Sequence, residues 1–274
     1  MGDVILKTTD AGLSWNKVAI KSDYLLTACY FTDLNSGFAV GYDESSSRGL
    51  IIKTTDGGFN WTPKNVGANN KLSDVYFTDP DTGWAVGFDG NNLMGFILET
   101  TNGGLSWFTQ VSGTNESLKA IHFFNSNKGW IAGEDGIILS TSDGGLTWNK
   151  QTSRVNRTLS SVYFIDSSSG WIAGNNGTIL QTTNGGKDWN EHQSGISVNL
   201  NTVFFINKNI GWIAGNEGTI LKTSDGGYSW IFQQSGTTED LYSVSSADSN
   251  IAWVVGKGRT ILKTTDGGLN WMNK

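Results

Sequence analysis

Apolar and polar positions alternate along this chain in short bursts that recur at a fixed interval. Leu72-Ser73-Asp74-Val75-Tyr76-Phe77 returns as Leu118-Lys119-Ala120-Ile121-His122-Phe123 and as Leu159-Ser160-Ser161-Val162-Tyr163-Phe164. A period of two over six residues predicts a strand with one face in a core; we call it strand a. A polar turn such as Thr78-Asp79-Pro80-Asp81-Thr82-Gly83 follows. Then comes a run that is apolar throughout, Trp171-Ile172-Ala173-Gly174, matched at Phe38, Trp84, Trp130, Trp212 and Trp253. Such a run predicts a strand b covered on both faces. Strand c is Gly177-Thr178-Ile179-Leu180-Gln181-Thr182, and strand d opens at a tryptophan, as in Trp189-Asn190-Glu191-His192.

Strands c and d are joined by one octet, written seven times. Its last copy is Thr264-Thr265-Asp266-Gly267-Gly268-Leu269-Asn270-Trp271. The closing tryptophans fall at 15, 61, 107, 148, 189, 230 and 271, so the interval is 46 residues twice and 41 four times. A period near forty residues signals a repeat architecture. The acidic or amide position (Asp10, Asp56, Asn102, Asp143, Asn184, Asp225, Asp266) accepts backbone hydrogen bonds and holds a tight turn. The paired glycines supply positive φ. The first copy departs with Ala11 in place of glycine.

Four short antiparallel strands per unit predict an all-β chain of propeller blades, since a lone blade cannot bury both faces. A linear solenoid is the weaker competitor, because its repeats lack a four-strand meander. The twelve tryptophans are all absorbed, seven in the octets and five opening strand b, with Phe38 in the sixth strand b. The expected layout is one domain over 1–274: a half blade at 1–22, then full blades near 23–68, 69–114, 115–155, 156–196, 197–237 and 238–274. We read it as seven-bladed with one incomplete blade, whose inner pair comes from missing sequence or another chain. The alternative is six blades plus a spare N-terminal hairpin.

The octet resembles the Asp-box, or BNR repeat, of sialidases and related propellers. The full pattern Leu-x-x-Val-x-Phe, Gly-Trp-x-x-Gly, Gly-x-Ile-Leu-x-Thr-Thr-Asp-Gly-Gly-x-x-Trp is clearest at Asn176 to Trp189. It is similar over nearly the whole chain to the photosystem II assembly and stability factors and their bacterial relatives. The resemblance implies a seven-bladed propeller that binds a protein client without catalysis, and in an exported bacterial relative it implies a periplasmic or extracellular place.

Composition narrows the chemistry. A formal charge of −6 gives no support for nucleic-acid binding, and no eighteen-residue apolar run spans a membrane. The single Cys29 aligns with Val75 and Ile121 and reads as a small core residue; two histidines make no zinc site of the usual kind. No cofactor or metal is expected, since one carboxylate per octet is too few for calcium. The arginines are four: Arg48, Arg154, Arg157 and Arg259. A sialidase needs three converging on its substrate, so that activity is not expected. Another glycosidase needs two facing carboxylates, and the candidates Asp43, Glu44, Asp89, Glu134, Asp135 and Glu217 cannot be paired from sequence.

Recognition belongs to what varies on a constant frame. The b–c loops vary, and those after Gly41 and Gly87 are long enough to account for the 46-residue intervals. The first residues after each strand b are Tyr42, Phe88, Glu134, Asn175, Asn216 and Lys257, and by repeat symmetry they share one face. Arg48 and the loop pair Arg154 and Arg157 join that face. It is expected to hold a protein or peptide, with aromatic anchors at Tyr42 and Phe88. A glycan-binding or glycan-cleaving module and a structural segment of a larger surface protein are the alternatives.

Overall fold

A computed structural model describes residues 4–274; Met1–Asp3, which the sequence places in the first half blade, lie outside the described residues. Apart from one-turn 3₁₀ segments at Glu134–Gly136 and Lys257–Arg259, the regular structure is strand. β1 (Ile5–Lys7) and β2 (Asn16–Val18) form a two-stranded sheet. β3 (Tyr24–Phe31), β4 (Gly37–Asp43), β5 (Arg48–Thr54) and β6 (Thr62–Ala68) form the first four-stranded blade. β7 (Asn70–Phe77), β8 (Gly83–Asp89), β9 (Met94–Thr100) and β10 (Phe108–Gln110) form the second. Four more blades lie at 118–151, 159–192, 200–233 and 241–273, each with its strands paired in chain order.

Among the described residues the four-stranded blades are therefore six, which corrects the seven-bladed layout and matches the alternative of six plus an N-terminal hairpin. The reason is compositional. Among the described residues the pairs of strands a and b are six, each held in its own blade, and β1 pairs with β2 alone.

Contacts divide the chain into two compact units, 1–131 with 140–149, and 132–139 with 150–274. Within the first unit, Phe38 lies flat on Phe77 of the next blade, ring centroids 4.1 Å apart, and Trp84 lies on Phe123 at 3.9 Å. Within the second, Trp171 and Ala173 of one blade pack with Leu200, Val203 and Phe205 of the next. Trp212 and Ala214 likewise pack with Leu241 and Val244. So the aromatic and third residues of strand b cover the Leu-x-x-Val-x-Phe face of the following strand a. This burial, on the order of 25 cal/mol per Å² of apolar surface, is what joins repeat to repeat. Glycine precedes the strand-b aromatic because Phe77 occupies its side-chain space; a Cβ at Gly83 would sit 2.5 Å from that ring.

Cys29 corrects its sequence reading. It is exposed, whereas its counterparts Val75 and Ile121 are buried. Among the described residues of its own unit, β3 packs with β4 and β7 and with no strand b of a preceding repeat, so the position that is core in later repeats is surface here.

The octet turns are local networks. In the sixth, Ser229 donates both its backbone N–H (2.9 Å) and its hydroxyl (2.5 Å) to the Asp225 carboxylate. The Thr223 hydroxyl donates to Asp225 Oδ1 and accepts from Gly227 N–H. Gly226 and Gly227 have φ of 80° and 92°, which side-chain-bearing residues adopt at a cost. In the fifth copy Asn184 replaces Asp, and its amide donates to Asp188 at 2.9 Å; a second carboxylate there would face a like charge.

Candidate functional site

The two 46-residue intervals lengthen strands as well as loops. β4 continues to Asp43 and β5 begins at Arg48, pairing Tyr42 with Gly49 and Asp43 with Arg48. In the second blade Phe88 pairs with Gly95 and Asp89 with Met94. Tyr42 and Phe88 thus sit on strands, and the loops shrink to Glu44–Ser47 and Gly90–Leu93. An anchor on a paired strand loses less freedom on binding than one in a loop.

The loops are tied down. The Asp43 side chain is buried, and its carboxylate accepts from the Ser45 and Ser46 hydroxyls at 2.7 and 2.8 Å. Lys21 lies 3.5 Å away. Desolvation acts upward on Asp43, but those hydroxyls and the Lys21 charge outweigh it and bring its pKa down to about 2. Asp89 does the same for its loop, accepting from Asn91 N–H and the Asn92 amide. Asn69 joins the two loops: its N–H donates to Ser47 O, and its own carbonyl accepts from Gly90 N–H.

Strand a lengthens with them. β7 starts at Asn70, which sets Lys71 directly across from Phe88. Its ammonium stands 5.4 Å from the Tyr42 ring centroid, within cation–π range. Tyr42, Lys71 and Phe88 therefore form one aromatic–cationic patch within the first unit, with Arg48 exposed at the end of β5. Sequence reasoning missed Lys71. The signal was present: an insertion that lengthens a b–c hairpin has to lengthen the strand a paired to it.

In the second unit the short b–c turns repeat one backbone bond. Asn175 N–H donates to Thr158 O, Asn216 N–H to Asn199 O and Lys257 N–H to Asp240 O, at 2.8–2.9 Å. Asp135, Asn176 and Glu217 take left-handed φ of 49–56° to turn these corners. Glu134 opens a 3₁₀ turn whose Gly136 N–H donates to Arg157 O. Asn216 is partly committed, accepting from the Asn201 amide at 2.8 Å. Arg157 pairs with Glu191 at 2.5 Å, and Arg154 stands 4.0 Å from Asp188. Each arginine thus already has a carboxylate neighbour. Beside Glu217, the residues Phe232, Ser235, Thr237 and Glu239 line an open depression of about 490 Å³.

Strand a contributes a half-buried aromatic row in the first unit, Tyr30 to Tyr76 at 4.9 Å and Tyr76 to His122 at 5.0 Å. On the same strand as Tyr76, Asp74 is half-buried and accepts from Val75 and Ile121 N–H at 2.8 and 2.9 Å. Desolvation outweighs those two bonds and pushes its pKa up to about 7. Among the described residues no group of three metal-ligating side chains forms, and no helix is long and apolar enough to cross a membrane.

Comparison with known proteins bears on this geometry. The sequence profile described as photosynthesis system II assembly factor YCF48 matches residues 65–153, 147–231 and 192–274. A search of curated protein sequences finds no match. Among solved structures, YCF48 from Cyanidioschyzon merolae is similar with a TM-score of 0.74 at 21% identity, covering 95% of this chain and 88% of that one. YCF48 bound to D1 peptide is similar with a TM-score of 0.72 at 19% identity, covering 92% and 81%. The GH74 xyloglucanase from Xanthomonas campestris is similar with a TM-score of 0.66 at 10% identity, covering 93% of this chain and 54% of that one. At these identities the structural likenesses speak to the propeller fold alone.

Proposed function

The chain belongs to the photosynthesis system II assembly factor YCF48 family, and on that premise we propose that it is a non-catalytic scaffold that binds an extended peptide segment of a client protein. The observation that carries this reading is the patch made by Tyr42, Lys71 and Phe88. The side chains stand on lengthened, paired strands whose loops are locked by Asp43, Asp89 and Asn69. Two aromatic anchors with a cation between them suit a peptide carrying apolar side chains and a carboxylate. The binding of D1 peptide by a YCF48 neighbour supports a client of this kind. On this reading Arg48 borders the same patch. In the second unit, Glu134, Asn175, Asn216, Lys257, Arg154 and Arg157 offer polar contacts on the remaining b–c and d–a segments.

Titration of the chain with D1 peptide, followed by calorimetry, tests the reading. Tyr42→Ala or Phe88→Ala should each weaken binding by about 2 kcal/mol, roughly thirtyfold, as truncation of an interface anchor does. Unchanged affinity in both variants would remove the patch from the client site.

A further inference from the structure

Every later strand a buries the Leu and the Val or Ile of this face, and the four that carry its Phe bury that as well; β3 leaves the equivalent positions open. Phe31 is 43% exposed, while Phe77 and Phe205 at the same place are 1% and 0%. Cys29 is exposed and Leu26 only half-buried. The neighbouring edge is open as well. β5 pairs with a strand on both sides, whereas β1 pairs with β2 alone among the described residues.

The hairpin nevertheless packs on the first blade as an outer pair does. Ile5 packs with Leu26, Ala39 and Ile52, just as Ile51 packs with Leu72, Ala85 and Leu98 one repeat later. Lys7 reaches the next octet at Phe59, 3.2 Å from the ring centroid, where Lys53 reaches Gly103 O. Missing are the strand-b aromatic that would stack on Phe31 and the small apolar residue that would cover Cys29. In the covered interfaces those two residues are Phe38 with Val40, Trp171 with Ala173 and Trp212 with Ala214.

We propose that the bare face of β3 and the open edge of β1 form an acceptor groove for a β-hairpin of this same repeat type, supplied in trans. Its strand b carries an aromatic residue onto Phe31 and, two positions on, a small apolar residue onto Cys29. Its backbone continues the sheet from β1, satisfying an edge that otherwise invites indiscriminate pairing. The interfaces already formed within the chain specify the occupant, because the groove presents the surface that they bury. The inference rests on repeat packing and stands apart from the client patch.

The experiment uses the full chain and a synthetic peptide of residues 158–175, which spans one complete a–b pair. Cys29 is the only cysteine, so its modification by a maleimide reports occupancy by mass alone. At a peptide concentration about ten times the dissociation constant, modification should slow about tenfold, because only the free fraction reacts. A peptide carrying Trp171→Ala should slow it less than about twofold at the same concentration. Failure of the first peptide to protect overturns the proposal, as does equal protection by the second. Protection that grows with the concentration of the chain itself, with no peptide added, also overturns it, since the a–b pairs of a second copy are already held in their own blades and a copy would cover the groove by another surface.

Discussion

Trp171 lies against Phe205 with ring centroids 3.6 Å apart and planes within 13°, and its indole N–H donates to Gly226 O at 2.9 Å. One side chain thus joins the strand a and the octet of the following blade. Trp171→Ala should cost roughly 3–5 kcal/mol in denaturant unfolding, as a large core truncation does. Trp253 occupies the same place in the last blade but is only half-buried. Its truncation should cost markedly less, about half as much, because less apolar surface is lost. Equal losses would show that the stacking partner contributes little.

Asp74 gives the stability a pH dependence of unusual sign. Desolvation raises its pKa from 3.8 to about 7 in the folded chain. The folded state therefore holds a proton that the unfolded state has released between about pH 4 and pH 7. Stability from this group falls as pH rises through that window and stays low above it, by up to about 4 kcal/mol. Asp74→Asn keeps an acceptor for one of the two backbone N–H groups and removes the charge. Urea titrations at pH 5 and pH 8 should show the variant gaining on the wild type at the higher pH. A constant difference would mean that the carboxylate is well solvated.

The octet carboxylates act the other way. Asp225 is lowered to about 2 by the Ser229 hydroxyl first, then by Ser229 N–H and Thr223. A depressed folded pKa gives stability that is full above the unfolded value near 4 and lost as pH falls towards 2. Asp225→Ala should destabilise by about 1–2 kcal/mol at pH 7 by leaving turn donors unpaired. Near pH 2 its deficit should shrink, because protonation of the parent removes the charge and leaves only a neutral acceptor for the turn. Asp225→Asn should retain most of the stability, as Asn102 and Asn184 hold their own turns through Oδ1 at 2.9 and 3.0 Å. Thermal unfolding of the three proteins at both pH values separates these outcomes.

The blade was legible because its signals are local. Period-two strands, the paired glycines of the octet and the tryptophan intervals each constrain a few neighbouring residues, and all agree. What was not legible depends on contacts between repeats. Cys29 looks like Val75 in sequence, yet burial is decided by whether another repeat lies over it. Blade number is likewise set by which strands find partners, and six strand pairs make six four-stranded sheets. Tyr42 and Phe88 were found as variable positions, but their placement on strands followed from pairing register, which also brought in Lys71. Ala11 shows the same limit. Its backbone adopts φ 55°, where the other octets have glycine. At Gly57 an added Cβ would lie 3.0 Å from Leu34 O in the blade's own a–b turn. Ala11 is exposed, so its methyl group points where solvent can accommodate it.

Nuclear magnetic resonance mapping of the full chain with D1 peptide addresses client binding most directly. The account expects amide shifts concentrated at Tyr42, Lys71, Phe88 and the adjoining residues 44–47 and 90–93, with the octet turns at Asp56 and Asn102 unmoved. Saturable shifts confined to the octet turns, or none at any of these positions, would contradict it.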